Sequence, residues 1–281
     1  KSMPRASIPS ICLTFHCNFL LELRGVIKWS YFYKSFFCKG YMLHLFNIIL
    51  FLLTVIFGSA PLWFRQLDGK SMLYLLAFSG SFLLSITFLH LLPETFASHV
   101  LYAGPLLLLG FFVQLLIQRM THGAEHGHTH IHEGHHIPLL SIFTGLAIHA
   151  FMEGLPLGFP YQQKSTILSL YMAITVHKLP EAMLVTSIAM QVKNKRTAFL
   201  QLVLFALITP FASTLTGIMS ARYANISTIV SYLLPVVAGA FIHIATTIFF
   251  ESGTRQHAIS WQKVLAMMLG VGIGLLTLAF E

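Results

Sequence analysis

From Tyr41 onward, the chain alternates long apolar runs with short polar connections. Each run approaches the roughly 20 residues that a helix needs to cross the hydrocarbon of a bilayer. Helices are the expected form, because backbone groups in lipid must be satisfied within their own segment. The pattern predicts an all-α polytopic membrane protein with eight transmembrane helices, at 41–63, 73–93, 101–118, 138–160, 166–190, 198–219, 230–250 and 262–280.

The composition agrees with a membrane protein. Of the 281 residues, 56% are hydrophobic and 9% are charged, whereas ordinary soluble domains carry about 25% charged residues. We therefore expect the lipid bilayer to be the protein's surroundings, in the cell membrane or an inner membrane. The formal net charge of +8 is spread over the termini and short loops. No nucleic-acid partner is expected, because no basic face interleaved with aromatics is present.

Residues 1–40 differ from the rest of the chain. They contain Cys12, Cys17 and Cys38, which are all the cysteines, and no apolar run of spanning length. We leave 1–40 as an unassigned N-terminal segment, either mis-started or disordered. Residues 41–281 are predicted to form the eight-helix membrane domain.

The distribution of basic residues predicts the orientation of these helices. The connections after the first, third, fifth and seventh runs contain eight basic residues: Arg65, Lys70, Arg119, Lys193, Lys195, Arg196, Arg255 and Lys263. The opposite connections contain only Lys164 and Arg222. The six basic residues before the first run argue for the opposite orientation, but the later connections agree with one another. By the positive-inside rule, the first set is cytoplasmic and both ends of the eight-helix unit lie outside.

One cytoplasmic connection, residues 121–137, is rich in histidine. Its composition cannot build a core, so it is expected to be a polar loop. Neutral imidazole is a common ligand of zinc, copper and nickel. We expect weak, exchangeable metal binding there, the alternative being a solvated linker without that role. The histidines concerned are His122, His126, His128, His130, His132, His135 and His136.

Two apolar runs each contain a histidine and a glutamate four residues apart, His149 with Glu153 and His177 with Glu181. Residues i and i+4 share one face of a helix. Two facing pairs would make a four-ligand site for a divalent metal, Zn²⁺ or alternatively Fe²⁺, Mn²⁺ or Cd²⁺. Ionisable residues inside a membrane are functional candidates by default, although hydrogen-bonded pairs that join helices are the alternative.

Four further polar residues lie inside the apolar runs or directly after one. Lys178 follows His177, and its ammonium could pair with Glu153 or Glu181 and take the space of a second metal. His90 and Glu94 are candidates for the metal's way in from outside. His243 could line the pathway, but a role in joining helices is favoured.

These motifs resemble the ZIP (Zrt/Irt-like) family of divalent metal transporters. The resemblance rests on His149-Ala-Phe-Met-Glu153-Gly and His177-Lys-Leu-Pro-Glu181, supported by His90-Leu-Leu-Pro-Glu94, the histidine-rich loop and the segment 241–251. It covers about 41–281. It implies eight transmembrane helices, metal movement into the cytoplasm and a transport site between the fourth and fifth helices.

The resemblance also bears on the number of metals. Members with a two-metal centre carry further ligands at positions that are Ala150, Lys178 and Thr209 here. We therefore expect one metal, with Lys178 replacing the charge of the other. Zn²⁺ is the expected cargo, without an organic cofactor, and a homodimer is included among the candidate assemblies.

Two other functions stay open. A cation-efflux carrier also uses histidine and acidic pairs within the membrane, but eight spans and glutamate in both motifs speak against it. An intramembrane metallohydrolase would need an open metal position and a general base, often as His-Glu-x-x-His, and this sequence lacks that motif. No phosphate-binding Gly-x4-Gly-Lys-[Ser/Thr] motif is present either. The expectation is thus a carrier and not an enzyme.

Overall fold

The computed structural model describes residues 27–64, 69–98, 100–121, 139–159, 161, 164–222, 231–251 and 260–280. Two compact units divide the chain, Lys1–Tyr41 and Met42–Glu281. Of the first unit, only helical backbone from residue 27 onward is described. All side chains discussed below belong to the second unit.

The described residues are almost entirely helical and contain no strand, which confirms the all-α prediction. Ten α-helices are described, joined in places by single turns of other helix types. The α-helices are α1 (Ile27–Gly58), α2 (Ala60–Trp63), α3 (Gly69–Ile86), α4 (Leu92–Ser98), α5 (Val100–Thr121), α6 (Leu139–Gly154), α7 (Lys164–Val192), α8 (Lys195–Arg222), α9 (Leu233–Glu251) and α10 (Trp261–Leu276).

Six helical segments in the described residues are long and apolar enough to cross a membrane: Tyr41–Trp63, Lys70–Ala97, Leu101–Thr121, Leu139–Gly158, Lys195–Arg222 and Trp261–Ala279. The count of eight is therefore not confirmed. The two remaining predicted runs fall on α7 and α9. Helix α7 has the length but carries ionisable residues that lower its hydropathy, and the apolar segment of α9, Leu233–Phe249, is shorter.

Helix α7 lies in the middle of the Met42–Glu281 unit. Its residues Leu170 and Ile174 are fully buried in a core that includes Ile86 of α3 and Phe241 of α9. Because other helices surround it, α7 can bury polar side chains that would be costly against lipid. The core thus places the ionisable residues of α7 where they meet protein.

Helices α6 and α8 pack closely beside α7. A Cβ atom on Gly154 would overlap the backbone carbonyl of Thr209, so only glycine permits this approach. The Thr209 hydroxyl donates to the carbonyl of Ala150 at 2.9 Å. Small residues at such contacts let helix backbones approach in a bilayer. The result is that the end of α6 is held against α8, directly beside the fourth-run motif.

A π-helical turn, Thr87–Leu91, connects α3 to α4. Proline at position 93 has no N–H and its ring would clash with the carbonyl four residues earlier, at Leu89. An extra residue in the turn relieves that conflict, as in the π-bulges of other helices. His90 lies in this turn, so its direction is set by an irregular backbone.

Candidate metal site

Two helices bring together the four residues of the paired motifs. His149 and Glu153 lie near the end of α6, and His177 and Glu181 lie in the middle of α7. One ligand atom from each lies within 4.8 Å of the others. All four are buried, with at most 1% of each residue exposed. Two histidine nitrogens and two carboxylate oxygens thus converge on one enclosed point.

Three contacts within the cluster have lengths that suit a tetrahedral ion. His149 Nε2 lies 3.3 Å from Glu153 Oε1 and 3.4 Å from Glu181 Oε1, and His177 Nε2 lies 3.7 Å from Glu153 Oε1. A tetrahedral zinc with ligand distances of about 2.0–2.2 Å separates its ligands by about 3.3–3.6 Å. The contacts are therefore close to the edges of a zinc coordination tetrahedron.

Each ligand helix has a proline next to its ligands. Pro156 lies in the single 3₁₀ turn Leu155–Gly158 that ends α6. Pro180 lies inside α7 directly before Glu181, and its nitrogen cannot donate to the carbonyl of Val176. Such interruptions are tolerated at membrane depth where neighbouring protein surrounds the backbone. Both ligand helices thus depart from regular hydrogen bonding at the cluster.

The Lys178 ammonium contacts one oxygen of each of the two carboxylates. Its ammonium pairs with Oε2 of Glu153 and with Oε2 of Glu181, the latter at 2.7 Å. The Oε1 atoms of the same carboxylates are the ones that face the histidines. The ammonium also lies 4.6 Å from the centre of the Phe205 ring on α8, a cation–π arrangement. Both glutamates therefore bridge between a fixed positive charge and the four-ligand point.

The two histidines differ in their further contacts. His177 Nδ1 lies 3.4 Å from the hydroxyl of Ser79 on α3, and that hydroxyl donates to the carbonyl of Leu76 at 3.1 Å. For His149, no hydrogen bond to either ring nitrogen is found within the part of the chain that the structure describes. Among the described residues, the α7 histidine alone of the two contacts a third helix.

The structure does not bring His90 and Glu94 into this cluster. His90 Nε2 lies 2.8 Å from the hydroxyl of Thr277, just after α10. Glu94 is buried in the first turn of α4. Burial, and then the charge of Glu94, raise the pKa of the Tyr161 phenol well above its usual range. Tyr161 therefore stays neutral at ordinary pH and lies within electrostatic reach of Glu94.

His243 joins two helices. Its Nε2 lies 2.7 Å from Gln118 Oε1 on α5, and its ring meets that of Phe111 edge-on at 4.6 Å between centres. These contacts connect α9 to α5. The histidine-rich loop, with all seven of its predicted metal-binding histidines, lies outside the described residues.

Sequence reasoning missed three residues that contact the predicted site residues. Ser79, Thr277 and Phe205 contact His177, His90 and Lys178 in turn. Nothing in the sequence separates Ser79 from Ser81 or Ser85 on the same helix. Which of the three meets a histidine depends on how α3 is rotated against α7, and no local pattern reports that rotation.

Comparison with known families gives one match. The family model described as ZIP Zinc transporter matches residues 123–278, more than half of the chain. This range includes both paired motifs, and it confirms the resemblance that those motifs indicated. No curated protein matches the sequence.

Proposed function

We propose that this chain, which belongs to the ZIP zinc transporter family, imports Zn²⁺ into the cytoplasm through a single-metal site. Membership makes it a multi-pass membrane protein that transports metal ions, and members of the family are transporters and not enzymes. The proposed ligands are His149, Glu153, His177 and Glu181.

The close spacing of two imidazole nitrogens and two carboxylate oxygens carries this proposal. Those contacts are 3.3, 3.4 and 3.7 Å long and are buried from solvent. Placing acceptor atoms so close together in a low dielectric is costly without a cation or proton between them. A divalent ion relieves that cost, since it accepts electron pairs from all four groups.

The ligand types favour an ion that must be released. Nitrogen and oxygen ligands suit Zn²⁺ and also Fe²⁺, Mn²⁺ or Cd²⁺, because first-row affinity depends only loosely on ligand type. Carboxylates neutralise the cation and exchange it faster than thiolates would. A carrier needs both properties, so this ligand set suits transport better than permanent structural binding.

Lys178 supports a single metal. Its ammonium binds the outer oxygens of both glutamates, which are the oxygens a second metal would use in a carboxylate-bridged pair. Ala150 offers no side-chain ligand, and the Thr209 hydroxyl is directed to a backbone carbonyl. Together these residues leave one ligand-rich point beside one built-in positive charge.

The path and direction belong to the same proposal. Counting α7 and α9 as spans gives eight, with both ends outside, and the positive-inside rule places the histidine-rich loop in the cytoplasm. Metal would pass His90 and Glu94, bind the four ligands and leave toward that loop. Without a nucleotide-binding motif, the metal gradient or a coupled ion supplies the driving force. Homodimerisation stays a prediction.

Uptake of Zn²⁺ into proteoliposomes tests the site and the direction. We expect His149→Ala and Glu181→Ala each to abolish uptake at normal protein levels. His44→Ala is the matched control, because His44 is an exposed histidine on α1. Full Zn²⁺ uptake by both ligand variants would refute the proposed site. Transport of Zn²⁺ only from the cytoplasmic side to the outside would refute import.

A further inference from the structure

We infer that Ser79 is a positioning residue that fixes the tautomer of His177, so that Nε2 is left bare for the metal. The inference rests on the proposed transport site and deepens it. It concerns a residue of α3, a helix that contributes none of the four ligands.

The hydrogen-bond geometry of Ser79 leads to this assignment. A serine hydroxyl has one proton to donate and two lone pairs. Ser79 gives its proton to the carbonyl of Leu76, 3.1 Å away. Only a lone pair then remains for the contact with His177 Nδ1 at 3.4 Å. The proton of the neutral imidazole must therefore be on Nδ1.

This tautomer has a direct consequence at the ligand cluster. With the proton on Nδ1, the lone pair of His177 is on Nε2, and Nε2 faces Glu153 Oε1 at 3.7 Å. A nitrogen lone pair and a carboxylate oxygen then face each other, which favours a cation between them. The second nitrogen of a metal-binding histidine commonly donates to such an outer partner, which orients the ring.

The two histidines are therefore unequal before metal arrives. His177 is held by Ser79 in the ligand-ready form. His149 has no hydrogen bond at Nδ1 among the described residues, so no neighbour there selects its tautomer. The tautomer of His177 is thus set from outside the cluster, whereas the polar contacts of His149 lie within it, with Glu153 and Glu181.

A neighbouring serine offers a matched control. Ser81 is fully buried on the same helix, and its hydroxyl donates to the carbonyl of Ala77 at 2.7 Å. Ser81→Ala removes the same kind of bond to the helix's own backbone as Ser79→Ala does. It leaves the contact with His177 untouched, so it separates positioning from helix packing.

Nitrogen-15 NMR of histidine-labelled full-length protein in lipid nanodiscs, without metal and at pH 8, reads the tautomer directly. The His177 signals are assigned by their loss in His177→Gln. We expect Nδ1 to be protonated in the unmodified protein and in Ser81→Ala. In Ser79→Ala the population should move toward the Nε2–H form that free histidine prefers in water. An Nε2–H or doubly protonated His177 in the unmodified protein would overturn the inference, whether or not any variant folds.

Zn²⁺ uptake kinetics supply the second measurement. Losing the outer partner of a metal-binding histidine typically weakens metal affinity about 10- to 100-fold, so Ser79→Ala should raise KM by about tenfold or more with little change in maximal rate. Ser79→Thr, which keeps a hydroxyl, should restore most of the affinity, and Ser81→Ala should leave KM unchanged. An unaltered KM in a folded Ser79→Ala protein would count against the inference.

The two measurements also separate this inference from the proposed function. If His177→Ala transports Zn²⁺ normally, the transport-site proposal is wrong, whatever the NMR shows. If His177→Ala is inactive but Ser79→Ala changes neither the tautomer nor KM, the site stands and the role of Ser79 is refuted.

Discussion

The pattern His-x-Leu-Pro-Glu occurs at two places in the chain with very different surroundings. In α7 it reads His177-Lys-Leu-Pro-Glu181, and at the end of the α3 segment it reads His90-Leu-Leu-Pro-Glu94. Both histidines are buried beside a hydroxyl on another part of the chain. Only the first lies in the four-ligand cluster. The difference between them therefore comes from their neighbours and not from the motif.

The hydroxyl partners bind opposite nitrogens. Thr277 donates its proton to the carbonyl of Gly274 at 2.6 Å and lies 2.8 Å from Nε2 of His90, so it accepts the proton of that nitrogen. Ser79 lies at Nδ1 of His177 instead. Nε2 is the outermost nitrogen of the side chain and is the one directed into the α7 cluster. In the inferred arrangement, Ser79 leaves Nε2 of His177 open to the metal, whereas Thr277 occupies the corresponding nitrogen of His90.

A second helix completes the contrast. His177 faces Glu153 from α6, whereas no cluster of three or more metal-binding residues includes His90 in the part of the chain that the structure describes. Two carboxylates and two imidazoles can compensate an ion's lost hydration only when they surround it. Convergence of two helices therefore makes the α7 motif a candidate metal site.

The largest expected effect separates the two histidines. His177→Ala removes a ligand and should lower Zn²⁺ uptake by at least about 100-fold, the upper range for losing even an outer partner. His90→Ala removes a hydrogen bond of about 0.5–1.5 kcal/mol, so uptake should fall by about tenfold at most. Proteoliposome uptake at matched protein density measures both. Equal losses of uptake in the two variants would show that His90 and His177 contribute equally to transport.

Much of this arrangement was accessible from sequence, for identifiable reasons. Apolar runs predicted helices, and the i, i+4 spacing predicted that His149 and Glu153 share a face, as His177 and Glu181 do. The family resemblance is confirmed over 123–278. The count of eight spans is not confirmed. One reason is that the ionisable residues of α7, which form the candidate site, lower the hydropathy of that helix.

What the sequence could not predict depends on rotation between helices. Local spacing is the same for His90 with Glu94 and for His177 with Glu181, so it cannot say which histidine nitrogen meets a hydroxyl. The division of each carboxylate between Lys178 and a histidine depends on side chains from α6 and α7 together. The importance of Ser79 appears only when α3 is placed against α7.

A smaller effect follows from making the two motifs identical. Lys178→Leu turns the α7 segment into His-Leu-Leu-Pro-Glu, the sequence found at 90–94. Removing the ammonium leaves two buried carboxylates unpaired, which destabilises the metal-free protein by about 3–5 kcal/mol. Metal would relieve this, so we expect KM for Zn²⁺ to fall by about tenfold and the maximal rate to fall as release slows, because like-charge repulsion is lost.

Thermal unfolding with and without Zn²⁺ checks the same variant. Lys178→Leu should unfold at a lower temperature without metal and gain more from Zn²⁺ than the unmodified protein does, because a ligand stabilises the state it binds. A raised KM together with a smaller gain would show that the ammonium assists metal binding, contrary to the proposal.

Lys178→Asp tests whether the Lys178 ammonium takes the place of a second metal ion. Replacing the ammonium with a carboxylate adds an oxygen ligand beside Oε2 of both glutamates and removes the positive charge that occupies this space. We expect a second metal there, visible by anomalous scattering from crystals grown with Zn²⁺ or Cd²⁺, against one in the unmodified protein. A single metal in the variant would mean that Lys178 does not stand in for a second ion.

The smallest effect is expected at the α3 motif. Thr277→Val removes the hydroxyl that accepts from His90 Nε2 and leaves a buried imidazole N–H without that partner, which costs about 1–3 kcal/mol. We expect lower thermal stability of the purified protein and a change of less than about twofold in KM for Zn²⁺, since the lost hydrogen bond involves none of the four clustered ligands. Ser79→Ala is the opposite case, with a large change in KM. If Thr277→Val changed KM as strongly, His90 would be bound to the transport site despite its separation from the cluster, and the two motifs would act as one pathway.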